Sequence, residues 1–339
     1  MRAIAPIPDT MQAAVLHAYD GAPDSLRIET RPVPKPERGQ VLVKMRAAPI
    51  NPSDLMFLKG LYGVQKPLPV VPGWEGMGRV VATGDDWLSR QLLGKRVACA
   101  APNQRDGTWA EYMLTSATRC VPLLDSVSDE QGATLIVNPL TAWALMDIVR
   151  RDNKRAFVQT AAASAVGRML VRLSQRFGVE GVHIVRREEQ AELLRSMGAR
   201  HVLNSETPDF DKQLREICHT LDARIALEAV SGMLAARVLK AMPAGSRLIL
   251  YGALSESPLM ADPRDLIFER KQIEGFWLAD WLSERTVWGQ LRLGRQVQRA
   301  LGDLLHTEIA ERYPLSAVHR ALADYQASMT AGKRLIVMG

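Results

Sequence analysis

The sequence predicts an α/β protein of two domains, one β-rich and antiparallel, the other a parallel sheet doubly wound by helices. Three observations carry this. The 339 residues exceed what one hydrophobic core ordinarily organises. Residues 11–60 alternate strand-like runs with proline and glycine breaks and show no helical period. From residue 156 onward, short apolar runs alternate with amphipathic helical stretches, the pattern of parallel strands joined by helical crossovers.

In the first segment MQAAVLHAY, LRIETRPVP and QVLVKMRAAPI read as strands of a partly barrel-like domain. PVVPGWEGMGRVVAT (69–83) adds turns and another strand, and GKRVACA and GTWAEYML add two more. DSVSDEQ (125–131) reads as the cap of an apolar helix that runs through Pro139 to Ile148.

The segment 156–187 is the most informative. Phe157 to Thr160 is an apolar run suited to a buried strand, and Ala161, Ala162, Ala163 and Ser164 have almost no side chain, so their backbone can approach a pyrophosphate closely. Val166, Met169, Leu170, Leu173 and Phe177 then form one helical stripe, with Arg168, Arg172 and Gln175 off it on the expected wet face. Gly178 stops the helix and Val182 to Val185 resumes a strand. A strand, small turn and helix leave free backbone N–H groups that suit an anion. The usual three-glycine fingerprint is degenerate: Ala161, Ser164 or Ala165, and an intact Gly167. At the next strand end, where an acidic residue would meet an unphosphorylated ribose, stand Arg186 and Arg187. They suit a 2′-phosphate, hence NADPH rather than NADH.

Strand and helix keep alternating beyond this unit. Glu188 to Met197 is helical and closed by Gly198, His201 to Leu203 is extended, and PDFDKQLREICHTL is helical again. ARIALEAV, SRLILYG and QIEGFWL supply three more strands, so the dinucleotide domain spans 137–279. Helices around Trp288 to Leu305 and Leu315 to Met329 and the final run RLIVM return to complete the first domain, 1–136 and 280–339.

Composition narrows the function classes. Hydrophobic residues at 47% and charged residues at 24% describe a globular protein rather than a disordered one. No apolar run is long enough to span a bilayer, and MRAIAPIPDT lacks the apolar stretch of a secretory signal, so the expectation is a cytoplasmic protein with no membrane partner. Cys99, Cys120 and Cys218 are isolated and read as buried thiols, not as a zinc knuckle or disulfide framework. Arg150, Arg151, Lys154 and Arg155 read as a solvated loop, and without a basic stripe interleaved with aromatics nucleic acid is not an expected partner.

The motifs INPSDLMFLKGLYG (50–63), PGWEGMGRVVATG (72–84), IVNPLTAW (136–143), IVRRE (184–188), LYGA (250–253) and GFWL (275–278), spread over nearly the whole chain, resemble the medium-chain dehydrogenase/reductase superfamily. Within it they are most similar to the zinc-independent 2-enoyl-thioester reductases of the mitochondrial type, with quinone oxidoreductases next. The resemblance implies a GroES-like β-rich catalytic domain and a Rossmann cofactor domain. Zinc-dependent relatives hold their metal with a cysteine where Asn51 stands and a histidine at Trp74, beside Glu75; amide and indole do not ligate zinc usefully, so no metal is expected and Glu75 becomes a hydrogen-bonding residue.

The resemblance also implies a mechanism. Hydride adds to Cβ of an alkene conjugated to a thioester carbonyl, and Cα then takes a proton from Tyr62, the LYG tyrosine, as general acid. Cofactor contacts carried over from the family are Asn51, Asn138, the turn Ser164, Ala165, Val166 and Gly167, the phosphate-facing Arg186 and Arg187, the stretches Tyr251, Gly252, Ala253, Leu254 and Phe276, Trp277, Leu278, and Lys333 near the C-terminus. Two departures stand out: Ala165 replaces a family glycine, and Arg-Arg-Glu replaces Arg-Asp-Arg, so that Glu188 repels phosphate unless it turns away. The substrate expected is an enoyl thioester on coenzyme A or acyl carrier protein. An NADPH:quinone oxidoreductase is the alternative that needs no Tyr62, and an NADPH-binding sensor or structural protein without turnover is the non-enzymatic one. The QIEGFWL edge strand implies a homodimer.

Overall fold

Periodicity sets the elements of the computed structural model, which describes residues 2–3, 6–152 and 155–339. The protein is α/β, and the chain divides into two units, 1–139 with 287–339, and 140–286.

The first unit opens with β1 (Arg2–Ala3), β2 (Thr10–Leu16), β3 (Leu26–Pro32) and β4 (Gln40–Pro49). In β4 Lys44 and Arg46 point to solvent while Val43, Met45 and Ala47 are buried, the period of two that puts one face of a strand on a core. There follow α1 (Pro52–Leu58), β5 (Glu75–Thr83), α2 (Trp87–Leu92), β6 (Arg96–Ala100), β7 (Tyr112–Ser116), β8 (Cys120–Pro122) and α3 (Asp129–Ala133). Next, α4 (Asn138–Arg151) leads into the second unit.

That unit repeats strand and helix: β9 (Ala156–Gln159), α5 (Ala165–Phe177), β10 (Glu180–Val185), α6 (Glu188–Ser196), β11 (His201–Asn204), α7 (Phe210–Thr220), β12 (Ile225–Glu228), α8 (Gly232–Ala241), β13 (Arg247–Leu250), α9 (Pro263–Ile267), β14 (Gln272–Gly275) and α10 (Leu278–Ser283). The chain then returns to the first unit with α11 (Val287–Ala300), β15 (Ile309–Pro314), α12 (Val318–Ala327) and β16 (Lys333–Val337).

The first unit's main sheet has the path β15-β16-β4-β5-β6-β8, with β7 on β4 and β1 on β5; all its pairs are antiparallel except β15 with β16. β2 and β3 form a separate antiparallel ribbon. Phe57, Met45 and Trp109 lie in the core these sheets share, each buried side chain of this size contributing about 1.5–3 kcal/mol. The second unit holds a fully parallel sheet, β11-β10-β9-β12-β13-β14, whose order reverses between β9 and β12.

Several expectations need correction. Residues 52–58, read as lacking any helical period, form α1; it is held by a capping box in which the Asn51 side chain accepts from the N3 backbone and Asp54 accepts from Asn51, with Pro52 opening the helix. Ser128 caps the five-residue α3, not the longer helix, which starts separately at Asn138. Arg168, expected on the wet face of α5, is buried. The QIEGFWL strand ends at Gly275. Of the basic cluster, Arg150 and Arg151 lie in the last turn of α4, where the helix dipole favours cations, and are not a loop. Arg150 covers the Phe177 ring at 4.1 Å and Arg151 pairs with Asp147 at 2.9 Å. Lys154 lies outside the described residues. All three cysteines are buried thiols.

Candidate functional site

In the parallel unit, every residue expected to meet a cofactor follows the carboxyl end of a strand. Ser164 to Gly167 follow β9, Arg186 and Arg187 follow β10, Tyr251 to Leu254 follow β13, and Phe276 to Leu278 follow β14. Outside these ends, beside the reversal between β9 and β12, an open α/β sheet forms its ligand crevice.

Local geometry at β9 suits a pyrophosphate. Ala161 takes a left-handed backbone, φ 47°, the conformation for which a glycine is ordinarily chosen. Ser164 caps α5 by accepting from the Gly167 N–H at 3.1 Å. The Ala165 and Val166 amides at the helix start have no intrahelical acceptor and are available to an anion. A Cβ at Gly167 would lie 2.4 Å from the Ala162 carbonyl oxygen, so only glycine permits this approach of helix to turn. Gly178 closes α5 in the left-handed region at φ 66°. The residues present therefore fit a dinucleotide despite the degenerate fingerprint.

Arg186 and Arg187 are exposed, and among the described residues neither guanidinium is engaged in an ion pair or hydrogen bond. Glu188 is occupied by Arg195, whose guanidinium donates at 2.6 Å and holds the carboxyl below its usual range. The carboxylate that threatened to repel a phosphate is thus neutralised locally.

Sequence reasoning missed a lock on the central strand ends. Thr160 Oγ1 donates to Glu228 Oε1 at 3.0 Å and accepts from the Ala229 N–H at 2.9 Å. The same oxygen, Oε1, accepts from Val230 and Ser231, while burial raises the Glu228 carboxyl. Its signal was a lone acid ending the apolar run ARIALEA. Tyr251 and Leu254 join the neighbouring turn through their N–H groups, to Glu228 O at 2.9 Å and Ala229 O at 3.0 Å. Phe276 donates its N–H to Leu250 O at 2.7 Å; Trp277 is 42% exposed and so is not a core residue.

In the β-rich unit, Asn51 and Lys333 are turned inward. Asn51 Nδ2 donates to Glu75 Oε1 at 2.9 Å, and Lys333 Nζ donates to Asn51 Oδ1 and, at 3.1 Å, to Ile50 O. Glu75 Oε2 accepts the N–H groups of Ile136 and Val137 at 2.9 and 2.8 Å, fixing the backbone that leads into Asn138. Glu75 is thus the hydrogen-bonding residue expected. Burial raises its carboxyl, pushes Asp54 up to about 7 and pulls Lys333 down to about 8. Lys333 and Asn51, both expected to touch a cofactor, spend these donors and acceptors on each other, on Glu75 and on Ile50; this arrangement orients the start of α1. Asn138 is buried at the start of α4.

Tyr62 follows α1 in a turn and is half-buried, its ring 4.8 Å from that of Trp74 and tilted by 40°. Trp74 is the wall on which Tyr62 rests.

Comparison with known proteins agrees with both units. Residues 37–125 match the alcohol dehydrogenase GroES-like domain and residues 165–292 match the zinc-binding dehydrogenase family. The mitochondrial enoyl-[acyl-carrier-protein] reductase of Arabidopsis thaliana is 32% identical over 277 residues, 80% of this chain and 73% of that one. The chain belongs to the medium-chain dehydrogenase/reductase superfamily. Its relatives there include the mitochondrial enoyl-[acyl-carrier-protein] reductase of Xenopus tropicalis, 30% identical over 92% of this chain and 91% of that one. Among solved structures, a candidate NADPH:quinone reductase from Mesorhizobium loti is 38% identical with a TM-score of 0.90, covering 98% of this chain and all of the other. A mycobacterial member solved in complex with NADPH is 25% identical with a TM-score of 0.82, covering 97% of this chain and all of the other.

Proposed function

We propose that this chain is an NADPH-dependent reductase of activated C=C bonds whose substrates are trans-2-enoyl thioesters on coenzyme A or acyl carrier protein. The observation that carries the reading is Tyr62, a phenol held on Trp74, in a chain whose curated relatives are named enoyl reductases. The Ala165 and Val166 amides and the Ser164 cap would hold the pyrophosphate, Arg186 and Arg187 the 2′-phosphate, and the backbone of Tyr251 to Leu254 and Phe276 to Leu278 the nicotinamide end. When bound, the reduced nicotinamide supplies hydride to Cβ. The Tyr62 phenol gives its proton to Cα. Asn51, Glu75 and Lys333 keep the start of α1, and so the turn that bears Tyr62, in place.

A quinone oxidoreductase is the second reading, favoured by the 38% identity to the Mesorhizobium loti protein. Crotonyl thioester and a quinone, assayed with one preparation, separate the two: NADPH oxidation by quinone alone, with none by the thioester, defeats the first reading. Oxidation by neither, with NADPH still bound, favours a sensor without turnover.

A homodimer belongs to the same proposal. β14 is the outer strand of its sheet, and Ile267 and Phe268 just before it are 67% and 77% exposed. Phe268→Asp should yield monomers in sedimentation at concentrations where the parent is dimeric. A cytoplasmic location is proposed with it; cell fractionation decides between that and the mitochondrial location in the relatives' names. No helix among the described residues is long and apolar enough to cross a membrane.

A further inference from the structure

Lys66 is only 3% exposed, yet among the described residues its ammonium forms no ion pair and no hydrogen bond. Its close neighbours are rings: Nζ lies 4.4 Å from the centre of Trp74 and 5.6 Å from that of Phe57. The backbone is pinned, because the Tyr19 hydroxyl donates to Lys66 O at 2.7 Å and accepts from Lys66 N at 2.8 Å. Tyr19 meets Phe57 edge-on at 5.2 Å, and Phe57 meets Trp74 edge-on at the same separation. A buried, unpaired cation is costly, and a methionine would fill the same volume without that cost.

The candidate proton donor packs on the same Trp74 ring. Tyr62 lies 4.8 Å from the Trp74 ring and Lys66 Nζ 4.4 Å from it, so the ammonium is within about 9 Å of the Tyr62 ring. Both residues sit on one short turn, Tyr-Gly-Val-Gln-Lys, wrapped on Trp74.

We propose that Lys66 is a positioning residue for proton transfer: its ammonium, over the Trp74 ring that Tyr62 also packs against, stabilises the phenolate that Tyr62 becomes. The inference rests on the reading of Tyr62 as donor. After hydride has formed the Cβ–H bond and the alkene π pair has moved onto the thioester oxygen, the Tyr62 O–H bond breaks and the Cα–H bond forms. The carbonyl is restored and a negative charge stays on Tyr62 until water reprotonates it. A cation nearby lowers the cost of that charge, and one with no carboxylate at contact distance is not cancelled locally. Burial brings Lys66 down to about 8; Asp106 and Asp54 on α1 oppose it, and Arg119 adds to it.

Tyrosine labelled with 13C at Cζ tests this without turnover, the Tyr62 resonance among the six tyrosines being assigned from Tyr62→Phe. Lys66→Met should raise the Tyr62 titration midpoint by about one pH unit, and lower kcat for crotonyl thioester roughly tenfold with little change in KM or NADPH binding. Lys66→Arg should restore both. In the unaltered protein the same resonance should show a small inflection near pH 8 as Lys66 titrates, which needs no variant to fold. An unmoved midpoint in folded Lys66→Met, or no inflection in the parent, overturns the role of Lys66. Undiminished turnover in Tyr62→Phe removes the donor itself; loss of turnover there with an unmoved midpoint in Lys66→Met removes Lys66 alone.

Discussion

The Asn51 amide and the Glu75 carboxylate meet at 2.9 Å where both are essentially without solvent, 0% and 1% exposed. Glu75 also accepts the Ile136 and Val137 N–H groups, and Lys333 donates to Asn51, so one carboxylate organises three segments far apart in sequence. In Glu75→Gln the new NH2 must face a donor on one side or the other, and Lys333 loses its compensating charge. Chemical denaturation should show a loss of about 3–5 kcal/mol. A loss below about 1 kcal/mol would mean that the carboxylate does not hold these segments.

Tyr62→Phe preserves the ring that rests on Trp74 and removes only the hydroxyl. Folding and NADPH binding should be unchanged, and enoyl-thioester reduction should fall by about 10²–10⁴. Quinone reduction, which needs no proton donor at Cα, should survive. Steady-state kinetics with the two acceptors reads this directly.

Among the described residues neither Arg186 nor Arg187 engages its guanidinium in an ion pair or hydrogen bond, while Glu188 is occupied by Arg195. Replacing both arginines by serine should weaken NADPH binding by about 1.5–3 kcal/mol for each charged hydrogen bond lost, and leave NADH binding nearly as it was. Fluorescence titration with both cofactors measures the ratio, and equal losses would contradict a 2′-phosphate at this strand end.

The strand, turn and helix of 156–187 were legible because local signals agree: an apolar run, a stripe at helical spacing, and Gly178 at the left-handed stop. The signature of α1 was present too, in Asn51-Pro-Ser-Asp54, but seven residues are too few for a period to show. The apolar residues after Ser128 run on without a break towards α4, which hides from the sequence that Ser128 caps the short α3 instead. Burial of charge left no trace in the sequence. Lys333 is buried against a residue 282 positions away, and Lys66 is buried by the rings of Phe57 in α1 and Trp74 just before β5. Arg168 shows the converse, a residue off the apolar stripe that its surroundings nonetheless cover.

His183 should make the parallel unit sensitive to acid. Gln159 Nε2 lies 2.7 Å from His183 Nδ1 and also donates to Gly167 O at 3.1 Å, so Nδ1 accepts and the ring is neutral with its proton on Nε2. Burial, with a small contribution from His201, lowers this histidine to about 4. Above about pH 6.5 the ring is neutral folded and unfolded, and contributes no pH dependence. Between about 6.5 and 4 the unfolded chain binds a proton that the native ring refuses, so stability falls as pH falls; below 4 both forms bind it and the loss levels off at roughly 3 kcal/mol. His183→Asn keeps an acceptor for Gln159 and cannot titrate. Urea unfolding at pH 7, 5.5 and 4.5 should therefore show the parent losing roughly 2 kcal/mol more than His183→Asn across that range, the carboxylates acting alike in both. Parallel losses in the two proteins would show that His183 accepts its proton without unfolding.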